Sequence, residues 1–122
     1  MSDYVKDLQI CSDAIFDLWR EVNDHLPDYN GKYLIDWDLT ECNYIKDSLH
    51  AAASTVLSTV MMDHVAYEVR SAIDTYDAAF KKKDIAKCKA AFLNCCEVFR
   101  EIRIVCQRAK TQIIKQEVCK NV

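Results

Sequence analysis

Residues 85–113 read IAKCKAAFLNCCEVFREIRIVCQRAKTQI and carry the clearest apolar pattern in the chain. Apolar residues recur there alternately three and four positions apart, which is the spacing of one face of an α-helix. They are Ile85, Cys88, Phe92, Cys95, Phe99, Ile102, Cys106, Ala109 and Ile113. Three neighbours widen this face on one side, and a face of that width suits the core of a helical bundle: Ala91, Val98 and Val105. We predict one long helix over residues 84–119, with Asp84 as its N-terminal cap.

Three further segments show the same period, and we predict helices over residues 3–26, 34–60 and 64–82. Pro27 and the turn residues that follow it end the first of these helices. No glycine or proline lies after residue 31, so we place the boundary between the second and third helices at residues 58–63, because an unbroken helix to residue 80 would be unusually long. The predicted inward residues are Tyr4, Leu8, Cys11, Ile15, Leu18 and Val22 in the first helix, Leu39, Cys42, Ile45, Leu49, Ala52, Val56 and Val60 in the second, and Val65, Val69, Ala72, Ile73, Tyr76 and Phe80 in the third.

A chain with one glycine, Gly31, and one proline is poorly suited to a β-sheet protein, because tight turns between strands need many residues of these kinds. Its 122 residues fall within the usual size of one domain, so residues 1–122 are predicted to form a single helical domain. Short connections between long helices favour antiparallel neighbours. The predicted fold is therefore all-α, an antiparallel up-down-up-down four-helix bundle.

The sequence also indicates where the protein is located in the cell. The N-terminus has no basic segment followed by an apolar stretch, and no apolar run approaches the roughly 20 residues needed to cross a bilayer. We therefore expect a soluble cytoplasmic protein that does not associate with a membrane. The seven cysteines include no CxxC pair, and we expect reduced thiols that mostly pack in the core as small apolar residues.

Few residues of the chain suggest catalysis or metal binding. His50 follows Asp47 with the spacing of half of a di-iron carboxylate site, but the matching acid–histidine pair on another helix is missing. A cysteine nucleophile would need a histidine nearby, and the cysteine-rich fourth helix contains none. The sequence therefore predicts a protein that is not an enzyme, with no catalytic or metal-binding residues, no cofactor and no small-molecule substrate.

One alternative is a Mg²⁺-dependent nucleotide hydrolase. Its metal ligands would come from two groups of acidic residues, Asp13, Asp17 and Glu21 in the first helix and Asp36, Asp38 and Glu41 further on. The acids of the first helix lie opposite its apolar face, where a solvated surface is the usual explanation. A single glycine also excludes a glycine-rich phosphate loop.

Charge is distributed very unevenly along the chain. Residues 1–80 contain five basic and fifteen acidic side chains, a net charge of −10, whereas residues 81–122 contain eleven basic and four acidic side chains, a net charge of +7. Such a basic region is typical of a surface that binds nucleic acid or an acidic protein. The candidate binding residues are Lys81, Lys82, Lys83, Lys87, Lys89, Arg100, Arg103, Arg108, Lys110 and Lys115.

Two interpretations of this basic region remain open. It either contacts a partner, or it packs beside the acidic helices and is neutralised by them. From the first interpretation we expect a non-enzymatic module that self-associates and binds nucleic acid or an acidic protein partner. The alternative in the same class is a protein–protein interaction adaptor that uses its acidic N-terminal helices.

Residues 65–110 read VAYEVRSAIDTYDAAFKKKDIAKCKAAFLNCCEVFREIRIVCQRAK, a helix, a short charged turn and a long helix. This stretch, and most closely FREIRIVCQRAK at residues 99–110, resembles the central helices of a four-helix family. That family comprises the rRNA intervening-sequence proteins and the accessory variability determinants of diversity-generating retroelements. The resemblance implies a homo-oligomeric ring of four-helix subunits whose basic surfaces bind RNA or DNA and a partner reverse transcriptase.

Overall fold

The computed structural model describes residues 3–22, 38–59 and 63–120, and within these ranges the chain forms four α-helices and no strand. The helices are α1 (Asp3–Glu21), α2 (Leu39–Thr59), α3 (Asp63–Lys81) and α4 (Ile85–Lys120). The predicted all-α class is therefore confirmed. None of these helices is both long enough and apolar enough to cross a membrane.

The helix boundaries differ from the predicted ones by a few residues. Helix α1 ends at Glu21 instead of continuing to residue 26, because Val22 already lies in a turn; residues 23–26 lie outside the described ranges. The prediction starts the third helix at residue 64, whereas α3 begins at Asp63. Lys82 lies in the turn after α3, whereas the prediction placed it inside the helix.

Aspartate caps set the starts of two helices. The sequence allows the second helix to start anywhere from residue 32 to residue 38. The backbone N–H of Glu41 donates to Asp38 Oδ1 at 2.8 Å, so Asp38 caps α2, which begins at Leu39; residues 34–37 lie outside the described ranges. The backbone N–H of Lys87 donates to Asp84 Oδ1 at 3.1 Å, which confirms Asp84 as the cap of α4. Each carboxylate satisfies a backbone donor that has no partner inside its own helix.

Helix α4 packs against each of the other three helices, while α1 and α3 make no contact within the described ranges. Along the α1–α4 contact, residue numbers rise in α1 as they fall in α4: Gln9 with Lys110, Ser12 with Gln107, and Phe16 with Arg103. The α2–α3 contact shows the same opposite order: Lys46 with Phe80, and His50 with Asp77.

The core follows the predicted apolar faces closely. Phe92, Phe99 and Tyr76 are its largest fully buried side chains, and most of the other predicted inward residues are buried with them. Tyr76 also donates a hydrogen bond from its hydroxyl to the Cys42 carbonyl at 2.7 Å, so its polar end is satisfied inside the core. The side chains of Tyr4 and Val60 lie outside the described part of the chain.

Two residues predicted to face inward are exposed. Val105 is 47% exposed and Leu39 is 40% exposed. The Cys95 thiol donates to the Ala72 carbonyl at 3.4 Å, so the first residue of α3 lies near residue 104 of α4. Val105 therefore lies where α3 no longer covers α4. Leu39 is the first residue of α2.

Cysteine forms a large part of this core. Cys11, Cys42, Cys88, Cys95 and Cys106 are buried as free thiols, which confirms their predicted location. Burial raises the pKa of Cys88 and of Cys95 to about 12, because a thiolate in apolar surroundings loses its hydration. These side chains therefore act as small apolar groups at neutral pH.

Truncation of the core should show how much stability α4 supplies. Phe99→Ala should lower the free energy of unfolding by about 3–5 kcal/mol, because it removes a buried aromatic ring and leaves a cavity. Leu93→Ala, on the exposed side of α4, is the matched control and should cost less than about 1 kcal/mol. Urea unfolding measures both values, and a similar loss for the two variants would contradict the core described above.

Candidate functional site

The turn between α3 and α4 is short and closed by backbone hydrogen bonds. The N–H of Lys83 donates to the Phe80 carbonyl at 2.9 Å, and the N–H of Asp84 donates to the Ala79 carbonyl at 3.2 Å. These two bonds define a Schellman motif, in which the residue after the helix adopts a left-handed conformation. That residue is Lys83, with φ of 56°. Glycine is usual at this position, since a side chain there costs roughly 1–2 kcal/mol.

Four lysines surround this turn, and we call them the lysine cluster: Lys81, Lys82, Lys83 and Lys87. All four side chains are exposed, and none forms an ion pair within the part of the chain that the structure describes. Asp84, the acidic residue among them, uses its carboxylate to cap α4. The cluster therefore presents four solvated ammonium groups on a fixed backbone.

Two surface grooves flank the end of α3, and each contains a lysine from the cluster. The groove between α3 and α4 has alanines along its floor, Lys82 and Lys87 on its sides, and no carboxylate among its described lining residues. The groove between α2 and α3 contains Lys81 together with Lys46, and also the carboxylates of Asp47 and Asp77. The positive field is therefore least compensated on the α4 side of the turn.

Lys46 is a cation near the cluster that the sequence did not reveal. Its ammonium lies 4.9 Å from the centroid of the Phe80 ring, a cation–π distance, and this contact holds it beside Lys81. No local signal predicts this, because Lys46 belongs to the acidic half of the chain and reaches the cluster only through the packing of α2 against α3.

The sequence suggested that His50 pairs with Asp47 as half of a metal site, but its partner is a different residue. His50 Nε2 lies 2.8 Å and 3.0 Å from the two carboxylate oxygens of Asp77 on α3, so it links two helices and does not pair with Asp47. Within the described ranges no group of three or more His, Cys, Asp or Glu side chains could hold a metal ion.

The acidic residues considered for Mg²⁺ binding are engaged elsewhere or exposed. Asp13 accepts a hydrogen bond from Gln9 at 2.6 Å, and Asp17 pairs with Arg20 at 3.2 Å on the solvent side of α1. Asp38 caps α2. The Glu21 side chain and Asp36 lie outside the described residues.

The other predicted basic residues are not part of the lysine cluster. Arg108 and Lys115 are exposed on α4, and Lys115 lies 28 residues beyond Lys87, or about 42 Å along a helix. Arg100 is exposed and pairs with Glu97 at 3.8 Å. Lys89 is only partly exposed and already has an interaction. The ten predicted residues therefore do not form one continuous surface.

Two of these cations hold α1 and α4 together. The Arg103 guanidinium lies 5.4 Å from the Phe16 ring centroid and 5.6 Å from that of Trp19, so it stacks on two aromatic rings of α1. Its Nε is buried and has no hydrogen-bond partner in the described structure. Lys110 donates to the Gln9 side chain. Both residues are better explained as links between helices than as partner-binding groups.

No protein-family model, curated protein or solved structure matches the chain.

The conformation of Lys83 generates a testable prediction. Lys83→Gly should raise the free energy of unfolding by up to about 1 kcal/mol, because relief of the left-handed side chain outweighs the extra freedom of glycine in the unfolded chain. Lys82→Gly is the matched control at the neighbouring residue, which lacks a positive φ, and should destabilise the protein. Urea unfolding of both variants checks this, and shifts of the same sign would contradict it.

Proposed function

We propose that this protein is a non-enzymatic binding module that contacts the phosphate backbone of nucleic acid through the lysine cluster. The observation that carries the proposal is the exposure of Lys81, Lys82, Lys83 and Lys87 on a closed turn, without ion pairs in the described structure. Phosphates require cations that can reach them, and binding releases counterions from the nucleic acid. Mobile lysine ammonium groups meet this requirement without a sequence motif.

The alternative of internal neutralisation has less support at this turn. If the acidic helices neutralised the cluster, carboxylates would lie within ion-pair distance of these lysines, and no such pair occurs among the described residues. Lys83 also occupies a position that glycine fits better. A cation retained at a cost in stability is more readily explained by binding than by folding.

We also propose that the four helices form an antiparallel up-down-up-down bundle within one domain. The opposite residue order along the α1–α4 and α2–α3 contacts supports this topology, as does the short turn between α3 and α4. In such a bundle the lysine cluster lies at the end where α1 finishes and α2 starts.

We further propose that copies of the chain associate head to tail. The outer side of α1 carries exposed Asp13 and Asp17 beside Ile10, which is 48% exposed. These side chains complement the groove between α3 and α4, where Lys82 and Lys87 flank an alanine floor. Contacts between different surfaces of identical subunits generate rings or filaments. A ring is also what the resemblance to the intervening-sequence and retroelement accessory proteins implies, and nucleic acid would compete for the same lysines.

Charge reversal tests nucleic-acid binding. Lys81→Glu, Lys82→Glu and Lys83→Glu together should abolish binding to mixed-sequence RNA and DNA, while the free energy of unfolding should change by less than about 1 kcal/mol per residue. The wild-type affinity should fall steeply from ~0.05 to ~0.2 M salt. Fluorescence anisotropy measures the affinity, and urea unfolding measures stability.

The matched control reverses Lys6, Arg20 and Arg70, three exposed cations elsewhere, and changes the net charge by the same amount. It should bind like the wild type. If the two triple variants lost the same affinity for nucleic acid, net charge and not the lysine cluster would explain the loss. No nucleic-acid binding at low salt, with binding to polyglutamate instead, would assign the cluster to an acidic protein partner.

A charge exchange tests assembly separately. Asp13→Lys with Asp17→Lys should weaken the oligomer, and so should Lys82→Glu with Lys87→Glu, because each places like charges across the contact. The combined fourfold variant should recover assembly but not nucleic-acid binding. Sedimentation at ~0.05 and ~1 M salt measures this, with a smaller species expected at high salt, where screening is strong. A wild-type monomer at low salt and high protein concentration would exclude the assembly.

A further inference from the structure

Two buried cysteines from the first and last helices face each other. Cys106 Sγ lies 3.7 Å from Cys11 Sγ, although the residues are 95 positions apart in the chain. Cys11 is 0% exposed and Cys106 is 3% exposed. The sulfur atoms are in van der Waals contact. To form a covalent bond, they need to move closer together by less than about 2 Å.

This thiol pair lies near the edge of the core. Thr59, the last residue of α2, lies close to Cys11, and its hydroxyl donates to the Thr55 carbonyl at 2.8 Å. Beside the pair, Gln107 Nε2 donates to Ser12 Oγ at 2.7 Å, and Val105 is already 47% exposed. Because both sulfurs are buried, a peroxide reaches them only when the helices around them open locally, and such opening costs less than global unfolding.

The two thiols differ in acidity because each affects the other. In the neutral pair the Cys106 thiol donates to Cys11 Sγ. Contact with Cys11 lowers the pKa of Cys106, because the Cys11 thiol can donate to the Cys106 sulfur once Cys106 has lost its proton. The pKa of Cys11 is raised by the same hydrogen bond and by burial. The contact thus favours a thiolate on Cys106, and the Cys11 sulfur lies 3.7 Å away, where it can attack an oxidised Cys106.

We propose that Cys11 and Cys106 form an oxidisable dithiol site whose co-reactant is a hydroperoxide. Cys106 first loses its proton, and its thiolate attacks the terminal peroxide oxygen. The O–O bond breaks, and the alkoxide or hydroxide that leaves takes up the proton released by Cys106 and becomes alcohol or water. Cys106 is then a sulfenic acid. The Cys11 sulfur attacks the Cys106 sulfur, an S–S bond forms, and water leaves with the Cys11 proton. In total, two thiols are oxidised by two electrons and one peroxide is reduced.

The other thiols provide an internal comparison. Burial raises the pKa of Cys88, Cys95 and Cys96 to about 12, and burial also raises that of Cys42. Cys119 is exposed, so its oxidation is the control that shows that the peroxide was active. The disulfide would link α1 to α4 and restrict the unfolded chain over nearly its whole length, so the oxidised protein should resist unfolding more than the reduced one.

Peptide mapping of the full chain tests this site. The reduced protein is treated with hydrogen peroxide, alkylated, and digested with trypsin without reductant. Residues 7–20 and residues 104–108 are tryptic peptides with one cysteine each. We expect these two peptides to appear joined, two hydrogen masses lighter than their sum, and to separate with dithiothreitol. The urea midpoint of the oxidised chain should be higher and should return to the reduced value with dithiothreitol.

Variants make the assignment specific. Cys11→Ser should leave Cys106 as a trapped sulfenic acid that reacts with dimedone, whereas Cys42→Ser, the matched change at another buried cysteine, should keep the joined peptide. The proposal is overturned if peroxide oxidises Cys119 while peptides 7–20 and 104–108 stay separate. It is also overturned if a Cys42–Cys88 link forms as readily. Both of these outcomes are read from the peptide map of the wild-type protein, so the test remains decisive even if a variant fails to fold.

Discussion

Helix α4 is the element on which the rest of the described structure depends, because its contacts with α3 and with α1 are the two most extensive between helices and it also contacts α2. Its 36 residues provide Phe92 and Phe99 at the centre of the core, with cysteines at the intervening positions. Small thiols beside large rings let neighbouring helices approach closely while the core remains filled. The other helices are much shorter, so α4 continues past the start of α3 and leaves Val105 exposed.

The separation of cations into structural and free groups follows from this packing. Where α1 lies on α4, the aromatic rings of Phe16 and Trp19 hold the Arg103 guanidinium between the helices. At the start of α4 the Schellman motif fixes a backbone from which the exposed lysines of the cluster extend. One basic sequence region thus serves two physical purposes, helix contact and surface charge.

The lysine cluster and the thiol pair would make this small fold responsive to different surroundings. Electrostatic contacts of exposed lysines weaken with salt, whereas a disulfide in the core depends on the oxidant present. The cluster surrounds the turn that precedes α4, whereas Cys106 lies beyond the middle of that helix. Oxidation would therefore change the stability of the bundle without altering the charge of the cluster.

The sequence by itself determined the helical class, most of the buried residues and the cap at Asp84, because apolar periodicity and capping act over a few neighbouring residues. The sequence also placed the four lysines of the cluster among its ten candidate binding residues, because basic side chains are concentrated in that part of the chain. Only the tertiary structure paired His50 with Asp77, brought Lys46 to Lys81, and separated the structural cations from the free ones. It alone also placed Cys11, the single cysteine of α1, against Cys106 of α4. These contacts depend on which helices are neighbours and on their relative register, and periodicity within one helix carries no information about either.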